Sequence, residues 1–177
     1  MQKEELIASK PIYEGRIIKV RVDSVTLPGG RETSREVVEH AAAVAIVPID
    51  DEGNTLLVRQ YRHPAGQALL EVPAGMVEDG ESPDETAQRE LQEETGFASR
   101  NLRPLGGFWS TPGFCTEFMY AYLAKNLVPS TLANDHDEFI DVERIPMERI
   151  PQLIRLGEIQ DAKSIAALLM ARYLFDT

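Results

Sequence analysis

The run AAAVAIVPI, residues 41–49, is apolar at almost every position. A strand with one wet face alternates between apolar and polar residues, whereas a strand covered on both faces reads as a nearly continuous apolar run. Residues 41–49 are therefore read as a covered strand, and the rest of the chain has to supply the cover. DDEGN (50–54) is a turn, TLLVRQYR (55–62) the next strand, and ALLEVPAG (68–75) a short strand that enters a Pro/Gly bend. Upstream, residues 16–27 are rich in β-branched side chains and run through Pro28-Gly29-Gly30 into RETSREVVEH, a hairpin or meander. Downstream, strands are expected near 105–110 and 116–124 and through FIDVERI (139–145), with helices near 146–156 and 162–174. Strands come first and helices later, so the fold class is α/β, a mixed sheet with helices against it.

One helix announces both of its ends. Ser82 is an N-cap residue, Pro83 suits the first helical position, and Glu85 stands three residues after Ser82 to complete a capping box. The helix is predicted over 83–95, stopping at Gly96. At about 100° per residue, Ala87, Leu91 and Thr95 share one stripe, the face that packs. Glu90 and Glu94 project side by side, with Glu93 next to them. Glu81 reaches the same face if the loop before the helix folds back. Like charges at this spacing repel, and a single arginine, Arg89, neutralises only part of the charge, through Glu85 or Glu93. The capping box fixes where these glutamates point. Several carboxylates beside a bend whose carbonyls turn inward make a hard-oxygen ligand set, suited to Mg²⁺ or Mn²⁺.

The bulk properties narrow the classes. The chain has 177 residues, enough for one domain with a real core, and a net charge of −11. Such a charge argues against nucleic acid and anionic membrane as partners, because phosphate backbones are held mainly by Lys and Arg. A phosphorylated small molecule remains possible through recruited metal. Cys115 is the one cysteine, so no intrachain disulfide forms. The start, MQKEELIASK, is polar and is no signal peptide, and no apolar run approaches the roughly 20 residues of a membrane span. A soluble, cytoplasmic protein is expected.

The spacing Gly75, five residues, Glu81, seven residues, then Arg89-Glu90-Leu91-Gln92-Glu93-Glu94-Thr95-Gly96-Phe97 resembles the Nudix box. The resemblance implies an α/β/α sandwich and a hydrolase that cuts a nucleoside diphosphate linked to another moiety. It also implies roles: Glu90 and Glu94 as main metal ligands with the Ala74 carbonyl, Glu81 and Glu93 as further ligands or holders of metal-bound water, and Arg89 as the residue that orients the glutamates. VRQYRHPAGQALLEVPAGMVE and GGFWSTPGFCTEFMYAYLA resemble the ADP-ribose pyrophosphatase branch, with Pro112 sixteen residues after Gly96. By that matching Arg62, Glu71 and Glu117 are substrate contacts, and Arg35 a further one. Glu71 stands in an apolar strand, so it is either buried and paired or faces the site. His40 is followed by three alanines where the branch pattern has Pro-Gly.

Glu138, in the loop Asp135-His136-Asp137-Glu138, is the choice for the base that activates water, with Asp137 second. The expected reaction is Mg²⁺-dependent hydrolysis of ADP-ribose to AMP and ribose 5-phosphate. The alternatives are another nucleoside diphosphate sugar such as GDP-mannose, a sensor that binds ADP-ribose without cutting it, or an acidic protein that binds Ca²⁺. Residues 1–40 are too few to bury a core alone and are expected as an N-terminal β segment, with 41–177 as the hydrolase domain. The resemblance implies a homodimer in which that segment is exchanged.

Overall fold

A computed structural model describes residues 3–130 and 140–173 of the chain. The acidic loop with Asp137 and Glu138 lies outside the described residues. The chain divides into two compact units, residues 1–42 with 109–118, and residues 43–108 with 119–177.

In the first unit, β1 (Glu5–Glu14), β2 (Ile18–Thr26) and β3 (Glu32–His40) form an antiparallel sheet in that order. The β2–β3 hairpin forms where Pro28-Gly29-Gly30 signals it. The Leu27 N–H donates to the Arg31 carbonyl at 2.8 Å, and Gly29 and Gly30 take φ values of 102° and 84°, a backbone shape that glycine adopts without steric cost. The sequence reading places no strand before residue 16, and the structure adds β1. Every residue of β1 is exposed, so it carries no burial period to read. Pro11 is tolerated because β1 is an edge strand. Ser9 ties β1 to β2, its Oγ donating to Asp23 Oδ1 at 2.7 Å. Residues 109–118 join this unit through the Val38 N–H, which donates to the Phe114 carbonyl at 2.7 Å, and the Thr116 N–H, which donates to Val38 at 3.0 Å.

The second unit holds two sheets. In one, β7 (Ala74–Met76), β4 (Ala43–Pro48), β9 (Phe118–Pro129) and β8 (Phe97–Trp109) lie in that order. Strand β4 runs parallel to β9 and antiparallel to β7, so the sheet is mixed as expected. In the other, β5 (Asn54–Arg62) pairs antiparallel with β10 (Asp141–Pro146) and with β6 (Gln67–Glu71). The helices are α1 (Pro83–Thr95), α2 (Ile150–Leu156) and α3 (Ala162–Tyr173). Strand β4 explains its own sequence. Ala43, Ala45 and Val47 share a core with Met119, Ala121 and Leu123 of β9 and with Ile150, Leu153, Ala167 and Leu168 of α2 and α3. Val44 and Ile46 point the other way, to Ala87 and Leu91 of α1. All six β4 residues are buried, which is why the run 41–49 lacks alternation. This is an α/β/α sandwich. Burial of Leu91 alone is worth about 2 kcal/mol, and it presses α1 onto the sheet. Among the described residues no helix is long and apolar enough to cross a membrane.

Candidate active site

Helix α1 begins and ends where its sequence dictates. Ser82 Oγ accepts from the Glu85 N–H at 3.3 Å, Glu85 Oε2 accepts from the Ser82 N–H at 2.8 Å, and Gly96 closes the helix with φ 75°. Glu85 is thereby committed to the cap, and Arg89 turns to the other glutamates. Its Nε and Nη2 grip Glu81 at 2.9 and 3.0 Å, and its Nη1 reaches Glu90 at 2.7 Å and Glu93 at 3.0 Å. The loop before α1 does fold back: the Glu81 N–H donates to the Glu78 carbonyl at 3.0 Å, and Thr86 Oγ1 donates to Glu81 Oε2 at 2.8 Å. Bonds from Arg89 first, and from Thr86 next, hold the Glu81 carboxyl down at about 2. The bond to Glu81 first, with the charge and bonds of Glu90 and Glu93, pushes Arg89 above its ordinary value.

Glu94 lies on the buried side of this group, and its Oε2 accepts from the Ala74 N–H at 3.1 Å. The bend therefore docks on the helix at the residue whose carbonyl is the proposed ligand. Gly75 follows, and a β-carbon there would stand 1.8 Å from Glu90 Oε1. Its φ is not positive, so the requirement is space rather than backbone conformation. The glycine that opens the motif leaves the volume that the Glu90 carboxylate fills.

Arg62 and Glu71 meet in a fork, Nε to Oε1 at 3.0 Å and Nη2 to Oε2 at 2.8 Å. Glu71 is 1 % exposed, the buried and paired alternative. Burial pushes its pKa up, but the bonds and charges of Arg62 and Lys163 more than reverse that, and it lies below the ordinary value. Arg62 is raised by its bonds to Glu71 first, and the charges of Glu94 and Asp161 act in the same direction. Lys163 and Asp161 are not in the sequence reading. The trace they leave is Asp161, an N-cap type three residues before Ser164 at the start of α3. In the first unit, Arg35 pairs with Glu4, Nη2 to Oε1 at 2.6 Å, and Glu117 lies 3.5 Å from His40 Nδ1. Glu138 lies outside the described residues.

Known proteins match this arrangement. The NUDIX domain family matches residues 39–168, and the nucleoside diphosphate sugar hydrolase N-terminal domain matches residues 4–38. An ADP-ribose pyrophosphatase of Bacillus subtilis is 38 % identical over 94 % of this chain and 91 % of its own length. A methanol dehydrogenase activator of Bacillus methanolicus is 39 % identical over the same shares. A solved structure of an ADP compounds hydrolase superposes with a TM-score of 0.90 at 26 % identity, covering 98 % of this chain and 95 % of that one. The matched domain runs from the end of β3 into α3 and takes in every glutamate that Arg89 gathers, so this chain belongs to the Nudix family.

Proposed function

We propose that the chain hydrolyses ADP-ribose to AMP and ribose 5-phosphate with the help of Mg²⁺, which Mn²⁺ can replace. One observation carries the reading. Glu81, Glu90 and Glu93 converge on Arg89, with Glu94 tied to the adjacent bend, in a chain 38 % identical to an ADP-ribose pyrophosphatase. Among the described residues, no three Asp, Glu, His or Cys side chains already stand in a metal-holding cluster. The donor chemistry still fits. Three carboxylates meet one guanidinium and Glu94 adds a fourth on the adjacent bend, so the group carries a formal surplus of three negative charges, and oxygen-rich anionic sites suit hard divalent cations. Glu90 and Glu94 with the Ala74 carbonyl would hold the ion, and Glu81 and Glu93 would complete the site.

When bound, a divalent ion neutralises phosphate oxygens and lowers the pKa of coordinated water. The chain does the rest. Arg89 fixes the glutamates, Arg62 meets phosphate or ribose, Arg35 and Glu117 are the remaining candidates on the substrate side, and Glu71 acts through Arg62, which it holds by both oxygens. Glu138 takes the proton from the attacking water. The product phosphate receives the water oxygen as the bridging P–O bond breaks. The enzyme works as a homodimer, a reading supported by the exposed apolar side chains of β1, Leu6, Ile7, Ile12 and Tyr13. We place it in the cytoplasm, in keeping with a single free cysteine.

A panel assay tests this. ADP-ribose, GDP-mannose, NADH and diadenosine polyphosphates are offered with Mg²⁺, and products are identified by mass. AMP with ribose 5-phosphate should dominate, and Glu94→Gln should lose at least about 100-fold in turnover, the scale expected when a charge-stabilising group is removed. Unchanged turnover by Glu94→Gln would end the metal assignment, and faster cleavage of GDP-mannose would move the substrate.

A further inference from the structure

The start of α3 contributes Asp161, Lys163 and Ser164, which the proposed chemistry does not use, to a network that reaches Arg62. Asp161 caps the helix, its Oδ2 accepting from the Ser164 N–H at 3.0 Å and from Ser164 Oγ at 2.6 Å. Lys163, inside the same turn, bends back so that its Nζ lies 2.9 Å from Asp161 Oδ2 and 2.5 Å from Glu71 Oε2. Glu71 in turn holds Arg62 through both oxygens. Ser164 is fully buried, and its Oγ accepts the Val72 N–H at 2.9 Å. Val72 leads through Pro73 to Ala74. Two cations and two anions balance, so the network carries no net charge.

The magnitudes decide what this turn does. Exposed ion pairs are worth little, but Glu71 is 1 % exposed, and a buried carboxylate is kept only where partners satisfy it. The Arg62 side chain is 37 % exposed and the Lys163 side chain 18 %. Lys163 is the partner fixed at its root by a capped helix, so it determines where the Glu71 carboxylate sits. A fork between arginine and carboxylate is directional, and it passes that position on to Arg62.

We propose that the first turn of α3, Asp161 to Ser164, is a positioning device for the active site: Lys163 sets Glu71, Glu71 aims Arg62, and Ser164 pins the strand end that leads to Ala74. Lys163, Asp161, Ser164 and Glu71 are then positioning residues and do not touch substrate. The proposal rests on the reading that Arg62 meets the substrate.

The test compares kcat and KM for ADP-ribose in the wild type, Lys163→Met, Lys163→Arg, Arg62→Ala and the Arg62→Ala/Lys163→Met pair, with melting curves for each. Lys163→Met should lose about tenfold in kcat/KM, and Lys163→Arg should recover most of it. In the Arg62→Ala background the same change should cost less than about twofold, the non-additivity of residues acting as one unit. An equal loss in both backgrounds overturns the proposal. An Arg62→Ala variant with full activity would instead remove the reading that Arg62 meets the substrate. The positioning claim is then judged on the Arg62 Nε–H resonance, which should be protected from solvent exchange in the wild type and lose that protection in Lys163→Met. Retained protection overturns it. Should Lys163→Met not fold, Lys163→Gln takes its place in every comparison.

Discussion

Gly75 and Glu71 show how single positions are committed. The atoms that a β-carbon at 75 would meet are the far end of the Glu90 side chain, which can swing away at small energetic cost. Gly75→Ala should therefore fold and melt close to the wild type while its Glu90 is displaced. A misplacement of about 1 Å at a reacting centre can cost about 100-fold, so the expected result is a loss of that order in kcat with an unchanged melting curve. Glu71 behaves in the opposite way. Its pKa is lowered in the fold from the ordinary 4.5, so its contribution to stability is complete above that value and is lost as the pH falls through the folded pKa. Breaking a buried pair by removing one partner costs about 3 kcal/mol. Glu71→Gln should show a deficit of that order at pH 7 in urea unfolding, and the gap to the wild type should narrow below pH 4.5. Asp161 is lowered as well and shares Lys163 with Glu71, so the narrowing reports the network that the two carboxylates form. A gap that stays constant from pH 7 down to pH 3 would show that folding does not lower the pKa of this carboxyl.

Among the elements, α1 is held by two devices of different strength. The cap at Ser82 fixes the start, and Ala87 and Leu91 in the core fix the rotation about the axis. Losing an N-cap side chain costs about 1 kcal/mol, so Ser82→Ala should lower the melting temperature by about 3 °C in a chain of this size. Its turnover should stay within about twofold, because packing still aims Glu90 and Glu94; a collapse of turnover at unchanged stability would mean that the cap sets the register alone. Elements of this kind were legible in the sequence because their signals are local: an unbroken apolar run for β4, a cap and a terminal glycine for α1, a Pro-Gly-Gly turn for the β2–β3 hairpin. The carboxylates of the site were legible for the same reason, being carried on one helix of known register. Strand β1 gave no signal because each of its residues is exposed among the described residues. The first half of β8 follows directly on Gly96 with half-exposed residues and a proline at 104, so it reads as loop. Glu71 was legible only as a charge in an apolar strand, requiring a partner or a site. The lysine that answers it lies 92 residues away, and no local pattern joins the two.

At the scale of the whole molecule, net charge and exposed apolar surface pull against each other. Leu6 is 63 % exposed, Ile12 56 % and Tyr13 57 %, all on one edge strand. Edge strands that present apolar side chains pair readily with another chain, and the proposed homodimer would cover them. Each copy brings a net charge of −11, so association has to overcome like-charge repulsion. Salt screens that repulsion, with a Debye length of about 10 Å at 0.1 M and about 30 Å at 0.01 M, while burial of apolar surface does not weaken as salt is added. The dimer should therefore be looser at low salt and tighter at physiological salt, the reverse of an interface made by opposite charges. Light scattering of the wild type should give twice 19.7 kDa at 0.15 M NaCl and drift toward the single-chain mass on dilution at 0.01 M. The Leu6→Lys/Ile12→Lys double variant, which takes apolar area away from the edge strand, should scatter as a single chain at both salt concentrations. A wild type that scatters as one chain at 0.15 M NaCl and still turns over at its full rate would remove the homodimer.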